Sequence, residues 1–267
     1  MTGFSADWLA RREPCDRRAR NPVVLAAVAE FFVSYPAATI VDLACGTGAT
    51  LRAVSGALPP RQSWRLVDND LSLLARAQQA IGADVTVRAI PLDLAHDLEA
   101  ALDGPIDLVT TSALLDLGSA EWIERLVTEI AARNLPFYAA LSYDGRVAIE
   151  PADASDEEIV AAFNRHQRTD KGFGPALGPA AAATAIGLFE RIGYTIVQGA
   201  SDWPLRPADE IQTDVLAGLA SAAAEIGGIA SDEVTKWKTR RKIMLAARRL
   251  GLRVGHVDFF ARPIGRR

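Results

Sequence analysis

Hydrophobic positions follow two periods along this chain. Short runs rich in β-branched residues read as strands at 39–43 (Ile40, Val41, Leu43), 63–68 (Trp64, Leu66, Val67), 85–90 (Val85, Val87, Ile90), 106–112, 135–143, 193–197 and 254–261. Between them apolar residues recur at helical spacing. One such stretch covers 22–34, through Val24, Leu25, Val28, Phe31 and Phe32. Others cover 47–58, stopped by Pro59-Pro60, then 71–77 behind an Asp70 cap, and a helix capped by Ser119 with Trp122, Ile123, Leu126, Val127 and Ile130 on one face. Three more are expected over 180–192, 207–225 and 231–250. Residues 5–20 form a charged helical lead-in, expected to break at Pro14. Asp144-Gly145 signals a turn that sends 146–150 back as a short strand. Four strand–helix units in succession, with strands too apolar to face water, imply a parallel sheet covered by helices on both faces. Ligands in such sheets sit at the carboxyl ends of the strands.

Composition narrows this little. At 267 residues the chain can bury one substantial core, and its formal net charge of -4 argues against nucleic acid as a partner. The basic run 236–249 (Lys236, Lys238, Arg240, Arg241, Lys242, Arg248, Arg249) has two readings, a solvated helix face or an RNA surface, and the acidic total favours the first. No apolar run approaches the length of a membrane span, and no signal or transit segment is visible, so a cytoplasmic location without membrane contact is expected. Two cysteines, Cys15 and Cys45, offer neither a disulfide framework nor a thiolate metal site, and no metal is expected.

Candidate chemistry collects at the strand ends. The first strand leads through Asp42, Ala44 and Cys45 into a turn with Gly46 and Gly48, where missing Cβ atoms permit a tight bend and close approach of a ligand. A dinucleotide fingerprint could use the same glycines, but its third position falls on Leu51. A carboxylate at Asp42 would not help a pyrophosphate; it suits a ligand with a positively charged amino acid end. Asp68 lies about 22 residues beyond Gly46, close to the spacing of an acidic residue that accepts both ribose hydroxyls.

The motif Asp42-Leu-Ala44-Cys-Gly46-Thr-Gly48 resembles the first motif of the class I S-adenosylmethionine-dependent methyltransferases, an acidic residue followed by x-G-x-G-x-G, with Ala44 in place of the first glycine. The likeness covers most of residues 22–200 and the last strand, in a small-molecule-type subfamily. It implies a seven-stranded, mostly parallel α/β Rossmann-like sheet whose last strand is antiparallel, with extra N-terminal helices and a helical insertion before that strand. The chain is then one domain, 1–267: a helical cap (1–35), a cofactor-binding core (36–150), a lid-like insertion (151–179) and a C-terminal part (180–267). S-adenosyl-L-methionine is the implied cofactor. Implied contacts are Asp42, Ala44, Gly46 and Gly48 around its amino acid end, Asp68 and Asn69 at the ribose, Asp93 and Leu94 at the adenine, and Ser112 and Ala113 near the sulfonium. Asp93 also reads as a simple helix cap.

The implied reaction moves the methyl group to an oxygen or nitrogen nucleophile of a small-molecule acceptor by in-line attack, mostly through positioning and desolvation. The Asn/Asp-Pro-Pro-Tyr/Phe tetrapeptide of one amino-methylating family is absent after the fourth strand. His166, in the 153–179 insertion, is the candidate general base, with a surface histidine as its other reading. Asp116 either faces substrate or caps a turn. Tyr143 and Arg168 are candidate substrate contacts, and the arginines of 11–20 are either solvated or turned to an anionic substrate. Two alternatives remain at this level: a non-catalytic binder of the same cofactor, and a nicotinamide-dependent oxidoreductase.

Overall fold

A computed structural model of the chain describes residues 4–78, 85–206 and 209–265. Helices α1 (Ala6–Ala19) and α2 (Pro22–Phe31) come first. Four units follow: β1 (Ala37–Leu43) with α3 (Ala49–Val54), β2 (Arg61–Asp68) with α4 (Leu71–Ala77), β3 (Val85–Pro91) with α5 (Leu98–Ala101), and β4 (Leu108–Ser112) with α6 (Ala120–Ala132). The chain continues through β5 (Phe137–Glu150), α7 (Asp156–His166), α8 (Ala181–Arg191), β6 (Thr195–Ala200), β7 (Trp203–Leu205), α9 (Ile211–Ile226), α10 (Ser231–Ala246) and β8 (Gly251–Arg262).

The strands form one sheet in the order β3-β2-β1-β4-β5-β8-β6, with the short β7 paired to β8. Strands β1 to β5 are parallel, and β8 runs antiparallel to both β5 and β6. This is the mostly parallel α/β Rossmann-like sheet expected of a class I methyltransferase, with β7 as an eighth strand. Ile40, Val41 and Leu43 are fully buried because β1 is covered on both faces. Ile40, Trp64 and Leu66 pack with α1, α2 and α9 on one side, whereas Val41, Leu43 and Val67 pack with α5, α6 and α8 on the other. The strand order reverses between β1 and β4, which opens a crevice at their carboxyl ends.

Two local expectations are corrected. Helix α1 does not break at Pro14; it runs unbroken from Ala6 to Ala19, because Cys15, Asp16 and Ala19 are buried against the body and hold the turn in place. Asp144-Gly145 does not reverse the chain. β5 continues through it as a bulge, with pairing to β8 shifted between Tyr143 and Val147. Gly145 takes φ +91°, and Asp144 Oδ1 accepts the Arg146 amide at 3.0 Å. Opposite, Gly255 leaves room for the bulge, since a Cβ there would sit 2.3 Å from Asp144 Oδ1. Of the helix expected over 207–225, residues 207 and 208 lie outside the described residues, and α9 begins at Ile211. Among the described residues no helix is long and apolar enough to cross a membrane.

Candidate functional site

The turn after β1 forms the floor of the crevice. Asp42 is wholly buried, and its Oδ1 accepts the Thr110 hydroxyl of β4 at 2.7 Å. Its Oδ2 is buried with no hydrogen-bond partner. Burial pushes this carboxyl up to about 7, against the pull of the Thr110 bond. Ala44, Gly46 and Gly48 all take left-handed backbone, at φ +52°, +54° and +81°. The turn therefore needs positive φ where this sequence carries Ala44, a cost of about 1–2 kcal/mol for a residue with a Cβ. Gly46 is also closely covered, because a Cβ there would lie 3.2 Å from Leu9 Cδ1 of α1, a tight contact to which that side chain would have to yield. Helix α1 thus lies directly over the glycine turn.

At the next strand end, Asp68 Oδ2 accepts the Gly46 amide at 2.9 Å and its Oδ1 accepts the Asp70 amide at 3.0 Å. Each oxygen keeps a second lone pair. Burial raises this carboxyl, and the two amides oppose that shift. Asp70 caps α4 by accepting the Ser72 and Leu73 amides at 2.8 and 3.2 Å. After β3, Asp93 holds a tight turn: its Oδ1 accepts the Ala95 amide at 2.9 Å and its Oδ2 lies 3.0 Å from His96 Nδ1. Leu94 is fixed from the far side, its carbonyl accepting Trp122 Nε1 at 2.8 Å. After β4, the Ser112 hydroxyl accepts Arg20 Nη2 at 3.4 Å, and Ala113, at φ +53°, donates its amide to Ala140.

These segments enclose a cavity of about 670 Å3, within the range of small-molecule sites. Ala44, Gly46, Asp68, Asn69, Asp93, Leu94, Ser112 and Ala113 all line it. Asp42 lies beneath the floor and Gly48 behind the turn. The rest of the wall includes residues that sequence reasoning did not single out individually, among them Leu9, Arg12 and Asp16 of α1, Leu114 and Leu117 after β4, and Lys171 and Phe173 of the 167–176 loop. Arg12 is paired with Asp16 at 2.8 Å and lies over the Trp203 ring at 5.0 Å.

Asp116, Tyr143, His166 and Arg168 do not line the cavity. Asp116 is buried in a short turn after β4, where burial raises its carboxyl to about 6 and its Oδ1 has no partner. The Tyr143 hydroxyl donates to Asn164 Oδ1 at 2.7 Å, which ties β5 to α7. His166 lies between Glu225 and Lys171, and Arg168 is exposed. A buried network missed from the sequence runs under the site. Arg20 Nη1 donates to the Tyr138 hydroxyl at 3.1 Å, and that hydroxyl donates to Asp258 Oδ2 at 3.4 Å. Asp258 also takes the Asn21 and Leu141 amides at 2.9 and 2.8 Å. His256, two residues earlier on β8, is buried with its Nδ1 unpartnered, and burial drops its imidazole to about 3. Alternation along β8 was the available signal, since it places His256 and Asp258 on the same inward face as Phe260.

Residues 40–136 match the family model described as "Methyltransferase domain". Among solved structures, the chain is similar to a cyclopropane-fatty-acyl-phospholipid synthase-like protein from Lactobacillus casei, at 14% identity over 97% of this chain and 94% of that one, with a TM-score of 0.55. It is also similar to the cyclopropane synthase MmaA2 from Mycobacterium tuberculosis, at 13% identity over 97% and 95%, with a TM-score of 0.51. A methyltransferase from Thiobacillus denitrificans, solved with S-adenosyl-L-homocysteine, aligns at 11% identity over 98% and 100%, with a TM-score of 0.46. Among curated proteins none matches this sequence.

Proposed function

We propose that this chain, whose residues 40–136 carry a methyltransferase domain with the class I Rossmann-like fold, transfers a methyl group from S-adenosyl-L-methionine to an oxygen or nitrogen nucleophile of a small-molecule acceptor. The observation that carries the reading is Asp68: a carboxylate at the end of β2, locked to the glycine turn through the Gly46 amide and facing the cavity.

The residues present fit this cofactor better than a dinucleotide. A pyrophosphate needs free amides and positive charge at the turn. Here the Gly46 amide is given to Asp68 and the Gly48 amide to the Cys45 carbonyl. The neighbouring side chains are Asp42, Asp68 and Asp93, and Asp42 lies under the floor with its Oδ2 unpartnered. That set suits a cationic ligand. Asp68 would hold the ribose hydroxyls through its spare lone pairs. Asp93 and the Leu94 amide would meet the adenine, and the turn 44–48 would take the amino acid end.

When bound, the cofactor supplies a methyl group activated on a sulfonium and open to in-line attack. The chain's own part is to position and to exclude water. Leu9 and Arg12 of α1 close the cavity from above, and Leu117 and Phe173 close its side. The test of turnover is transfer of a labelled methyl group from S-adenosylmethionine to a library of small alcohols, phenols, acids and amines. Labelled product is expected with at least one acceptor class; none, with cofactor binding intact, would leave a binding protein without transfer.

A further inference from the structure

The cavity is larger than its acidic floor, and its outer wall has a different character. Leu9, Leu114, Leu117 and Phe173 make that wall apolar, and only two cations enter it among the described residues, Arg12 and Lys171. Arg12 is already neutralised, because its Nε and Nη2 both lie on the Asp16 carboxylate, at 2.8 and 3.2 Å. Lys171 is not. Among the described residues no carboxylate lies within ion-pair distance of its ammonium. Its Nζ donates to Thr169 Oγ1 at 3.0 Å and lies 3.3 Å from His166 Nδ1, neither of which is a carboxylate. An ammonium carries three donors, so one is left over.

The groups behind Lys171 are arranged to present it. For His166 Nδ1 to accept from lysine, the ring proton must sit on Nε2, which donates to Glu225 Oε2 at 3.1 Å. Glu225 of α9 therefore fixes the tautomer of a histidine on α7, and that histidine fixes a lysine at the cavity wall. The loop that carries Lys171 is itself well tied. Asp170 Oδ1 accepts the Gly172 and Gly174 amides at 2.7 and 3.1 Å, Phe173 packs 4.8 Å from Trp122, and the Leu177 amide donates to Gly118 at 2.8 Å. A half-buried ammonium held beside apolar side chains gains most from a ligand anion.

We propose that Lys171 anchors a carboxylate of the methyl acceptor, with His166 and Thr169 as its positioning residues, so that the acceptor is an amphipathic acid with its apolar body against Leu9, Leu117 and Phe173. This rests on the methyltransferase reading above and names its substrate class. The test is calorimetric titration of the protein saturated with S-adenosylhomocysteine, using straight-chain and aromatic carboxylates, each matched with its primary amide. At least one carboxylate should bind roughly 10-fold or more tightly than its amide, the scale of one charge-assisted contact. Lys171→Met and Lys171→Gln should erase that preference while leaving affinity for S-adenosylhomocysteine unchanged. His166→Ala should weaken the carboxylate several-fold, and His166→Gln, which keeps an acceptor atom, should recover part of the loss. The proposal is overturned if no pair shows a carboxylate preference, or if the preference survives in both lysine variants. Failure of the wild-type protein to bind S-adenosylhomocysteine would instead overturn the methyltransferase reading.

Discussion

Asp42 is a carboxylate that the fold keeps at a cost. Its side chain is wholly buried, one oxygen is bonded to Thr110 and the other to nothing. An unfolded aspartate loses its proton near 4, whereas this one holds it to about 7. Between those limits the unfolded state binds fewer protons than the folded one, so stability falls as pH rises, by up to about 1.4 kcal/mol per pH unit. Asp42→Asn removes the titration. Urea unfolding of the ligand-free protein at pH 5 and pH 7 should therefore show the wild type losing stability relative to the variant across that interval; parallel profiles would contradict the assignment. Asp116 titrates in a neighbouring range but is common to both proteins and cancels in the comparison. The positions of Asp42, Asp68 and Asp93 at the carboxyl ends of strands were legible in the sequence, because each lies at or just beyond the end of an apolar run. Arg12 and Lys171 were not, because nothing within a few residues of either says which surface it will meet.

At the scale of elements, α1 shows local preference giving way to packing. An interior proline costs a helix about 3 kcal/mol, chiefly through the missing amide and a clash with the preceding turn. The helix persists because it is pinned along its length. Arg52 of α3 grips both oxygens of Glu13 at 2.7 Å, and Trp203 of β7 donates to Asp16 at 3.0 Å. Pro14→Ala should accordingly raise stability by about 1–3 kcal/mol in denaturant unfolding. Asp16→Ala should lower it by about 2–4 kcal/mol, because it leaves the Arg12 guanidinium and the Trp203 indole poorly paired in a largely buried place. A neutral result for Asp16→Ala would mean that the pin does not hold α1 over the site. The Asp144-Gly145 bulge teaches the same lesson for strands. The dipeptide is a genuine hairpin signal, but β8 is long enough to pair with β5 on both sides of it, and pairing gained at long range overrides the turn.

For the whole molecule, the alternation of apolar strands with helix-period segments was enough to read a parallel sheet and the crevice at the strand ends, whereas the antiparallel last strand was implied by the resemblance to the class I methyltransferases. The short β7 was not legible, since Trp203-Pro204-Leu205 becomes a strand only by lying against β8. Nor was the second polar layer, in which Arg20, Tyr138 and Asp258 join three distant segments beneath the cavity. The site therefore divides as the sequence does. One part of the cavity wall comes from consecutive strand–helix units, and the other from segments that meet only after folding. The central claim concerns the first part, and calorimetry with S-adenosylhomocysteine tests it most directly. The wild-type protein should bind this compound and show no comparable affinity for a nicotinamide dinucleotide. Asp68→Ala should weaken the binding by roughly 10- to 100-fold, through loss of charge-assisted ribose contacts. Tight nicotinamide binding without S-adenosylhomocysteine binding, or an unchanged affinity in the variant, would contradict the account.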